Sequence, residues 1–570
     1  RLGPRWVLGE WLATISAGSG EHSCWWMTSR PTSRCDWPEN QPNIRHIRSM
    51  CSRSLIVMKS ATRSETWPET RPETRTATIL ETSFVADQVI DELKDFILDG
   101  PNIAIVKAPP GSGKTYTLVE SLDVAVRSGM RVMVAAQTNN QVDEICERIA
   151  ERYPTPAVLE RRVVRFSSGS YVTPSGTNAD GATFTDLVDV ISTKADLPDG
   201  ACVIVSTVSK LALSEFEHPF DLLYVDEAWQ MAWADFLPLR HVAERYILIG
   251  DPGQIPPTVA IEVDRWEATD FPPHAPAPDL LLRNPRLREL RSEFRLPTCR
   301  RLPYDSVELV NSFYDFTFGA DASPGERFIR VGGGVGGGVG GDVGGSRSSR
   351  ATSSHTTPHA TPHVSKVDEA LARMWAGDHP LTTAIITHPT PDNGMPVGTD
   401  TELAEVVVDI VLRILELECE ISTQPAECSK PRRLVPQDIG IVSTHNLMNA
   451  AISRRLASGQ KKSAKNPLSS IRATTPERWQ GLERPVMIAV HPLSGVMSPS
   501  EFDLETGRLC VMASRHRSAC FFVTRDHIAA TLDAHLPSAT QALGGVDVTG
   551  RGHDVHRDFI DYHLERNLVV

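Results

Sequence analysis

The chain has 570 residues, of which 41% are hydrophobic and 23% are charged. This length exceeds what one hydrophobic core usually supports, so we expect two or more domains of ordinary globular composition. The formal net charge of −13 excludes a molecule that is basic over its whole surface, so a nucleic-acid partner would need a locally basic channel.

No segment approaches the roughly 20 apolar residues of a membrane-spanning helix. Glu10 interrupts the short apolar run that follows Arg1 and Arg5, which argues against a secretory signal peptide. The ten cysteines are scattered and form no C-x-x-C pair. We therefore expect an intracellular, cytoplasmic protein with no membrane partner. The sequence names no protein partner and is compatible with a monomer.

Residues 1–77 differ in composition from the rest of the chain. Residues 1–57 hold five of the eleven tryptophans and three of the ten cysteines without a sustained period, and a tandem Pro-Glu-Thr-Arg repeat follows at 68–75. We expect a disordered or mis-annotated extension and linker here.

A pattern of alternating strands and helices begins near residue 83. Short apolar runs recur along it at 103–106, 132–135, 203–205, 222–225 and 246–249. Such alternation predicts a parallel sheet that is covered by helices on both faces. We assign residues 78–275 to a first α/β domain.

A second α/β series follows residue 380. It comprises four apolar runs and one helical pattern, at 383–386, 402–417, 439–442, 486–490 and 521–524. We assign residues 276–545 to a second domain and residues 546–570 to a C-terminal tail.

A low-complexity insert at 331–365 interrupts the second domain, and its Gly/Val-rich start cannot bury enough apolar surface to order itself. His355, His359 and His363 recur every four residues in it. Because Pro358 and Pro362 oppose a regular helix, we expect a degenerate Thr-Pro-His repeat instead of a metal site.

The segment Ala108–Thr115 reads Ala-Pro-Pro-Gly-Ser-Gly-Lys-Thr and lies between a predicted strand and a predicted helix. Its glycines allow a turn whose N–H groups face phosphate oxygens. Lys114 would reach the β- and γ-phosphates, and the Thr115 hydroxyl would bind Mg²⁺. The alternative is a glycine-rich αβ turn without a ligand. The candidate phosphate-binding residues are Pro110, Gly111, Ser112, Gly113, Lys114 and Thr115.

Asp226 and Glu227 directly follow the apolar run 222–225, at the edge of the sheet where ligands bind in open α/β folds. Asp226 can hold Mg²⁺ opposite Thr115, and Glu227 can orient or deprotonate an attacking water. Alone, an adjacent Asp-Glu pair is common on solvated loops.

Gln254 follows another apolar run, in Gly250-Asp-Pro-Gly-Gln, where its amide can contact a γ-phosphate or the water. Phosphoryl transfer also gains from a cation over the developing charge. Arg295 and Arg515, both assigned to the second domain, are the candidates. The alternatives are a Pro/Gly turn for Gln254 and surface charges for the arginines.

Six segments in this order resemble the motifs of superfamily 1 helicases of the Upf-like group, which includes senataxin. Glu293–Thr298 differs from the Gln-Tyr-Arg-Met-His-Pro motif of that family in lacking its Gln, Tyr and His. The matching segments are Ala108–Thr115, Asp226–Gln230, Gly250–Pro257, Glu293–Thr298, Trp479–Glu483 and Val511–Arg517.

The resemblance implies two tandem RecA-like domains, with ATP and Mg²⁺ between them and a single strand of DNA or RNA across their top. It further implies that Gln88 reads the adenine, that Glu483 lies near the ribose or phosphates, and that Arg295 and Arg515 act from the second domain. Trp229, Trp233 and Trp479 could stack on bases, but packing is the expected role for at least two of them.

The leading hypothesis is an ATP-dependent helicase or translocase on single-stranded nucleic acid. A second is a nucleic-acid-stimulated ATPase that remodels nucleoprotein complexes without unwinding a duplex. A third is a nucleotide-gated clamp with little turnover, which the presence of Lys114, Glu227 and both arginines disfavours. The choice between DNA and RNA stays open.

Overall fold

The computed structural model of the protein describes the ranges 88–153, 163–177, 181–259, 263–266, 269–332, 362–392, 394–395, 399–424, 430–459, 468–535 and 547–570. Residues 81–570 form one compact unit. The expected extension over residues 1–77, residues 333–361 of the insert, His355 and His359 lie outside the described residues. His363 belongs to a helix that starts at Pro362.

Within the described part of the chain, eight parallel strands form the first sheet, in the order β4-β3-β5-β2-β6-β7-β1-β8. The strands are β1 (Ile103–Lys107), β2 (Arg131–Ala136), β3 (Val163–Phe166), β4 (Val188–Ile191), β5 (Cys202–Thr207), β6 (Phe220–Val225), β7 (Ala243–Gly250) and β8 (Arg291–Arg295).

Helices alternate with these strands: α1 (88–99), α2 (Lys114–Arg127), α3 (Asn139–Arg152), α4 (Phe184–Leu187), α5 (Val208–Ala212), α6 (Trp233–Phe236) and α7 (Ala277–Arg283). Every residue of β1 is buried, because both of its faces are covered. Ala104 and Val106 pack into the same core as Leu118 and Leu122 of α2. This is the arrangement that continuous apolar runs predict.

The second large sheet is also parallel and has the order β12-β18-β17-β15-β16. Its strands and the short strands beside it are β9 (Thr298–Cys299), β10 (Gly319–Ala320), β11 (Phe328–Arg330), β12 (Thr383–His388), β13 (Glu420–Ser422), β14 (Arg432–Arg433), β15 (Ile439–Val442), β16 (Arg472–Thr474), β17 (Arg484–Val490) and β18 (His516–Arg525). The expected α/β class with two parallel sheets is confirmed.

The helices of this half are α8 (Tyr304–Asn311), α9 (Pro362–Met374), α10 (Thr401–Glu416), α11 (Asn446–Gly459), α12 (Pro476–Trp479), α13 (Glu501–Leu504), α14 (Thr506–Ala513), α15 (Ile528–Ala534) and α16 (Val548–Glu565). In the described residues, no helix is both long and apolar enough to cross a membrane.

The structure differs from the expected domain boundaries in two places. Strand β8 lies beyond the boundary at 275/276, yet it pairs with β1 and so completes the first sheet. The segment 546–570, expected as a tail, contains α16, whose Val555, Phe559 and Ile560 pack into a core with Phe522 of β18. The apolar positions of α16 are widely spaced among charged residues, which conceals its buried face in the sequence.

Buried histidines line the contact between α16 and the second sheet. His556 is fully buried, has no hydrogen-bond partner on either ring nitrogen among the described residues, and lies 5.1 Å (ring centroids) from His491. His563 Nε2 lies 3.1 Å from the Thr383 hydroxyl. Burial lowers the pKa of His556 to about 3 and that of His563 to about 4. Burial also lowers the pKa of His516, in β18, to about 3.

These pKa values predict that the fold loses stability in mild acid. Because the folded-state pKa values lie below the ordinary value of about 6.5, the unfolded state takes up protons that the folded state does not. Stability is therefore complete above about pH 6.5 and falls as the pH drops towards 4. His491 is a fourth such group, because burial lowers its pKa well below the ordinary value. For these four histidines we expect a loss of roughly 5 kcal/mol between about pH 7.5 and 5.5, measured by urea unfolding.

The substitution His556→Leu should reduce this pH dependence by about one quarter, because one of the four groups is removed. His218→Leu is the matched control, since His218 is exposed and should leave the slope unchanged. Equal slopes in the wild type and His556→Leu would contradict the assignment.

Candidate active site

The phosphate loop connects β1 to α2 by a turn that needs glycine. Ala108 N donates to the Gly250 carbonyl at 2.8 Å, which ties the loop to the end of β7. Gly111 (φ 68°) and Gly113 (φ 90°) adopt left-handed conformations that side chains oppose. Gly113 precedes α2, which has no side-chain cap and no acidic residue in its first turn. The first N–H groups of α2 are therefore left to an anion.

Lys114 and Glu227 form an ion pair across the loop. Lys114 Nζ lies 2.5 Å from Glu227 Oε1, and both side chains are mostly buried. Glu227 has φ 50°, an uncommon conformation for a residue other than glycine, which marks a constrained backbone at the end of β6. Thr115 follows Lys114 at the start of α2 and is partly exposed.

Asp226 is the buried carboxylate of the site. It is 6% exposed, and its Oδ1 atom has no hydrogen-bond partner among the described residues. Burial raises the pKa of Asp226 to about 6; the negative charge of Glu227 adds to this, and Lys114 opposes it. A buried carboxylate oxygen without a donor matches the requirements of a hard divalent cation.

The loop after β7 places Gln254 beside a second buried acid. Gln254 is 8% exposed and Asp251 is 1% exposed. Gln254 Nε2 donates to Asp251 Oδ2 at 2.5 Å, which fixes the amide. Burial raises the pKa of Asp251, while Lys114 opposes the shift.

The second domain contributes Arg515 to this cluster. Arg515 is 1% exposed, and its Nε and Nη2 atoms have no hydrogen-bond partner in the described part of the chain. Burial lowers the pKa of Arg515 to about 10, and the positive charge of Arg301 adds to this; Asp251 and Glu227 attract it and oppose the shift. Arg515 therefore lies within electrostatic reach of the first-domain acids.

Arg301 lies against the phosphate loop. A Cβ atom placed on Gly111 would be 2.3 Å from Arg301 Cβ, and Arg300 N donates to the Gly111 carbonyl at 2.9 Å. Arg301 Nε lies 2.7 Å from Glu483 Oε2. Burial opposes ionisation of Glu483, but Arg301 and Arg517 outweigh it and lower the pKa of this carboxyl.

Comparison with known proteins finds a family profile and individual relatives that match part of this chain. A protein-family profile described as an AAA domain matches residues 87–195 and 190–262. The DNA-binding protein SMUBP-2 of Rattus norvegicus is 42% identical over 59 residues, which are 10% of this chain and 6% of that protein. The DNA replication ATP-dependent helicase/nuclease DNA2 of Saccharomyces cerevisiae is 26% identical over 181 residues, which are 30% of this chain and 11% of that protein.

Residues 87–262 thus match an AAA domain, and the relatives of the chain include a DNA-binding protein and an ATP-dependent helicase/nuclease. The resemblance inferred from the motifs is thereby confirmed. The chain spans only a small part of the length of these relatives. Among solved structures, the PRRSV helicase aligns with 78% of this chain and 55% of its own at 12% identity and a TM-score of 0.32.

The described contacts of Arg295, a candidate cation for the transferred phosphoryl group, do not include the phosphate loop. Arg295 lies on the edge strand β8 of the first sheet, with a half-exposed side chain that pairs with Glu293 at 2.8 Å. Its guanidinium lies 5.7 Å from the centre of the Phe316 ring. Arg295 therefore belongs to the first sheet and not to the second domain, because β8 is held by β1, and its role in phosphoryl transfer stays a prediction.

Arg301 takes the place beside the phosphate loop that was expected for Arg295. The sequence held a signal for this, because Arg-Leu-Pro occurs twice, at 295–297 and at 301–303. Only the first copy has an aromatic residue before the arginine, and that likeness favoured Arg295. Asp251 was also missed as a site residue, although it belongs to the Gly-Asp-Pro-Gly-Gln segment.

The remaining expected residues are dispersed. Gln88 is exposed at the start of α1, and its amide donates to Glu92 at 3.0 Å; among the described contacts, none joins it to the phosphate loop. Trp229, Trp233 and Trp479 are all at most 3% exposed, so packing is confirmed as their role.

Gly111 and Gly129 provide a matched test of the contact between the phosphate loop and Arg301. Both have left-handed backbones, so alanine costs each about 1–2 kcal/mol in conformational energy. A Cβ atom on Gly129 meets nothing within 4 Å. We expect Gly111→Ala to lower the free energy of unfolding by about 1–3 kcal/mol more than Gly129→Ala, in urea titrations. Equal losses would show that the loop and Arg301 are not packed as described.

Proposed function

We propose that the protein is an ATP-dependent helicase or translocase that moves along single-stranded DNA or RNA. The observation that carries the proposal is the buried guanidinium of Arg515, whose Nε and Nη2 atoms have no hydrogen-bond partner among the described residues and which Asp251 and Glu227 attract. A loop from one domain and a cation from the other are the two halves of a site that works when the domains close on a triphosphate.

The residues of the loop fit Mg²⁺ and ATP. Asp226 has a buried oxygen without a donor, and the Ser112 hydroxyl is likewise buried without a partner among the described residues. We assign Mg²⁺ to Asp226 and the Thr115 hydroxyl, and the phosphates to Lys114, the loop N–H groups and the start of α2. Bound Mg²⁺ would neutralise part of the charge on the phosphates.

Glu227 is the proposed general base. Its ion pair with Lys114 defines an inactive state of this base. While Lys114 Nζ is 2.5 Å from Glu227 Oε1, the carboxylate is occupied by an ammonium group. When Lys114 turns to phosphate oxygens, Glu227 becomes available to orient or deprotonate the attacking water. Gln254 supplies an amide at the same place.

Arg301 and Arg515 are the proposed cations over the transferred phosphoryl group. Glu483 holds Arg301 from the second domain at 2.7 Å, so it positions the cation and is not itself a phosphate ligand. We keep the expected role of Gln88, which is to contact the adenine base. The Gln88 side chain would close towards the base to make this contact.

The proposed track crosses the carboxyl ends of the strands. In the second domain a cavity of about 440 Å³ opens there, after β15 and β17, and Ser443, Thr444 and His491 line it. The first helical turn of α11 also borders it, which suits a phosphate. The names of the relatives support this proposal, since one is a DNA-binding protein and one an ATP-dependent helicase/nuclease. We place the protein inside the cell, acting as a monomer.

ATP turnover should require the phosphate loop and respond to single-stranded nucleic acid. We expect single-stranded DNA or RNA to stimulate release of inorganic phosphate, and Lys114→Ala and Glu227→Gln to reduce kcat by at least about 100-fold. Glu227→Gln should retain ATP binding, because it keeps the shape of the side chain.

Parallel assays with no polymer, with DNA and with RNA would decide the track. Stimulation by neither polymer would contradict the motor, and undiminished turnover by Lys114→Ala would trace the activity to a contaminant. Strand displacement from a tailed duplex would separate a helicase from a translocase.

Arg301 and Arg295 offer a matched pair of cations, six residues apart, for the assignment of the arginine finger. Removing a finger costs on the order of 10³-fold or more in rate. We expect Arg301→Ala to lower kcat at least about 100-fold, while Arg295→Ala changes it less than about two-fold. Phosphate release at saturating ATP measures both. The reverse order of effects would restore Arg295 to the site.

A further inference from the structure

The loop that carries Gln254 is anchored in the second domain as well as the first. Ile255 packs into the hydrophobic core of the second domain. A Cβ atom on Gly507 would lie 2.6 Å from the Gln254 carbonyl carbon, so the backbone of α14 rests directly on the loop. A loop that follows β7 of the first sheet is thus in contact with the helix that leads to Arg515.

Asp251 is the centre of the hydrogen bonds that fix this loop. Its Oδ2 accepts from Gln254 Nε2 at 2.5 Å. Its Oδ1 accepts from the Tyr314 hydroxyl at 2.7 Å and from Gly253 N at 3.1 Å. Because one carboxylate joins them, the orientation of the Gln254 amide depends on the position of the Tyr314 hydroxyl.

Tyr314 is held rigidly by the second domain. Its ring packs edge-on against Phe316 and Phe318, at 5.4 and 5.2 Å between centroids. Its hydroxyl lies 3.5 Å from Cys510 Sγ, in α14. A Cβ atom on Gly253 would lie 2.4 Å from the Tyr314 ring, so the ring and the Gln254 loop are in direct contact.

We propose that Tyr314 is a positioning residue for ATP hydrolysis, which acts through Asp251 to hold the Gln254 amide in its working orientation while the two domains are in contact. The inference rests on the proposed function. Gln254 contacts the reacting groups, and Tyr314 does not. When the domains separate, Asp251 loses the hydroxyl, the carboxylate can rotate, and the Gln254 amide is no longer fixed. Hydrolysis is thereby restricted to the closed state.

Removing the Tyr314 hydroxyl tests this relay. Tyr314→Phe keeps the ring against Gly253, so we expect the ATP KM to stay within about two-fold while kcat with single-stranded DNA or RNA falls about ten-fold. In a Gln254→Ala background, the same substitution should change kcat less than about two-fold, because the residue through which Tyr314 acts is gone. A purely structural role would give the same loss in both backgrounds.

Tyr246→Phe is the matched control, since Tyr246 is another buried tyrosine, whose hydroxyl lies 3.2 Å from the Leu239 carbonyl. The kcat of Tyr246→Phe should equal that of the wild type. If Tyr314→Phe does not fold, Asp251→Asn serves instead, because it offers a donor where the hydroxyl needs an acceptor. Asp251→Asn should also lower kcat about ten-fold when Gln254 is present, and it should not do so in the Gln254→Ala variant.

Turnover of Tyr314→Phe within two-fold of the wild type, or an equal ten-fold loss with and without Gln254, would overturn the relay alone. A wild type that does not hydrolyse ATP would overturn the proposed function, and the relay with it. The two failures are therefore distinguishable by the wild-type rate.

Discussion

Attraction between buried charges of opposite sign holds the site together. Within the part of the chain that the structure describes, the buried Arg515 has no hydrogen-bonded carboxylate, and an isolated buried cation costs several kcal/mol. Asp251 and Glu227 offset part of that cost, because both attract Arg515. Those acids lie in the first domain and the cation in the second, so the attraction of Arg515 adds to that which Lys114 already provides within the first domain. An anion that binds between the two domains therefore meets an electrostatic field that the charges of both domains already provide.

The second domain fixes its cation by a buried polar network. Asp305, at the start of α8, accepts hydrogen bonds from the backbone and hydroxyl of Thr382. The Ser306 hydroxyl lies 2.8 Å from both Thr382 Oγ1 and His516 Nε2. His516 is the residue after Arg515, so the helix that follows Arg301 and the strand that follows Arg515 are locked to each other. The two candidate fingers therefore share one rigid support.

The sequence predicted the class of fold because its signals are local. Continuous apolar runs marked the strands β1, β2, β5, β6 and β7, and the observed bounds extend those runs by only a few residues. The positions of the phosphate loop and of Asp226-Glu227 could also be predicted from the sequence. Each segment follows a buried strand, and the carboxyl ends of parallel strands meet at one edge of the sheet.

Elements with charged strand residues could not be predicted in the same way. Strand β3 contains Arg165, which can be fully buried because it donates to Asp143 and Asn139 of α3 at 2.9 and 2.7 Å. Strand β8 is polar because it is an edge strand. The missed role of Arg301 has the same origin: which of two Arg-Leu-Pro copies approaches Gly111 depends on where β8 ends, and that is a tertiary property.

The segment between β8 and α8 is bonded to both sheets, and this determines how a cleft of this kind could open. On the side of the first sheet, Leu296 N donates to the Lys107 carbonyl and Arg300 N to the Gly111 carbonyl. On the other side, Arg327 donates to the carbonyls of Arg300 and Leu302 and to that of Arg301. Because the guanidinium bonds outnumber the single bond at Gly111, separation would break at Gly111 first. Arg301 would then move together with Arg515, because Arg327 and Glu483 hold it on the side of the second sheet.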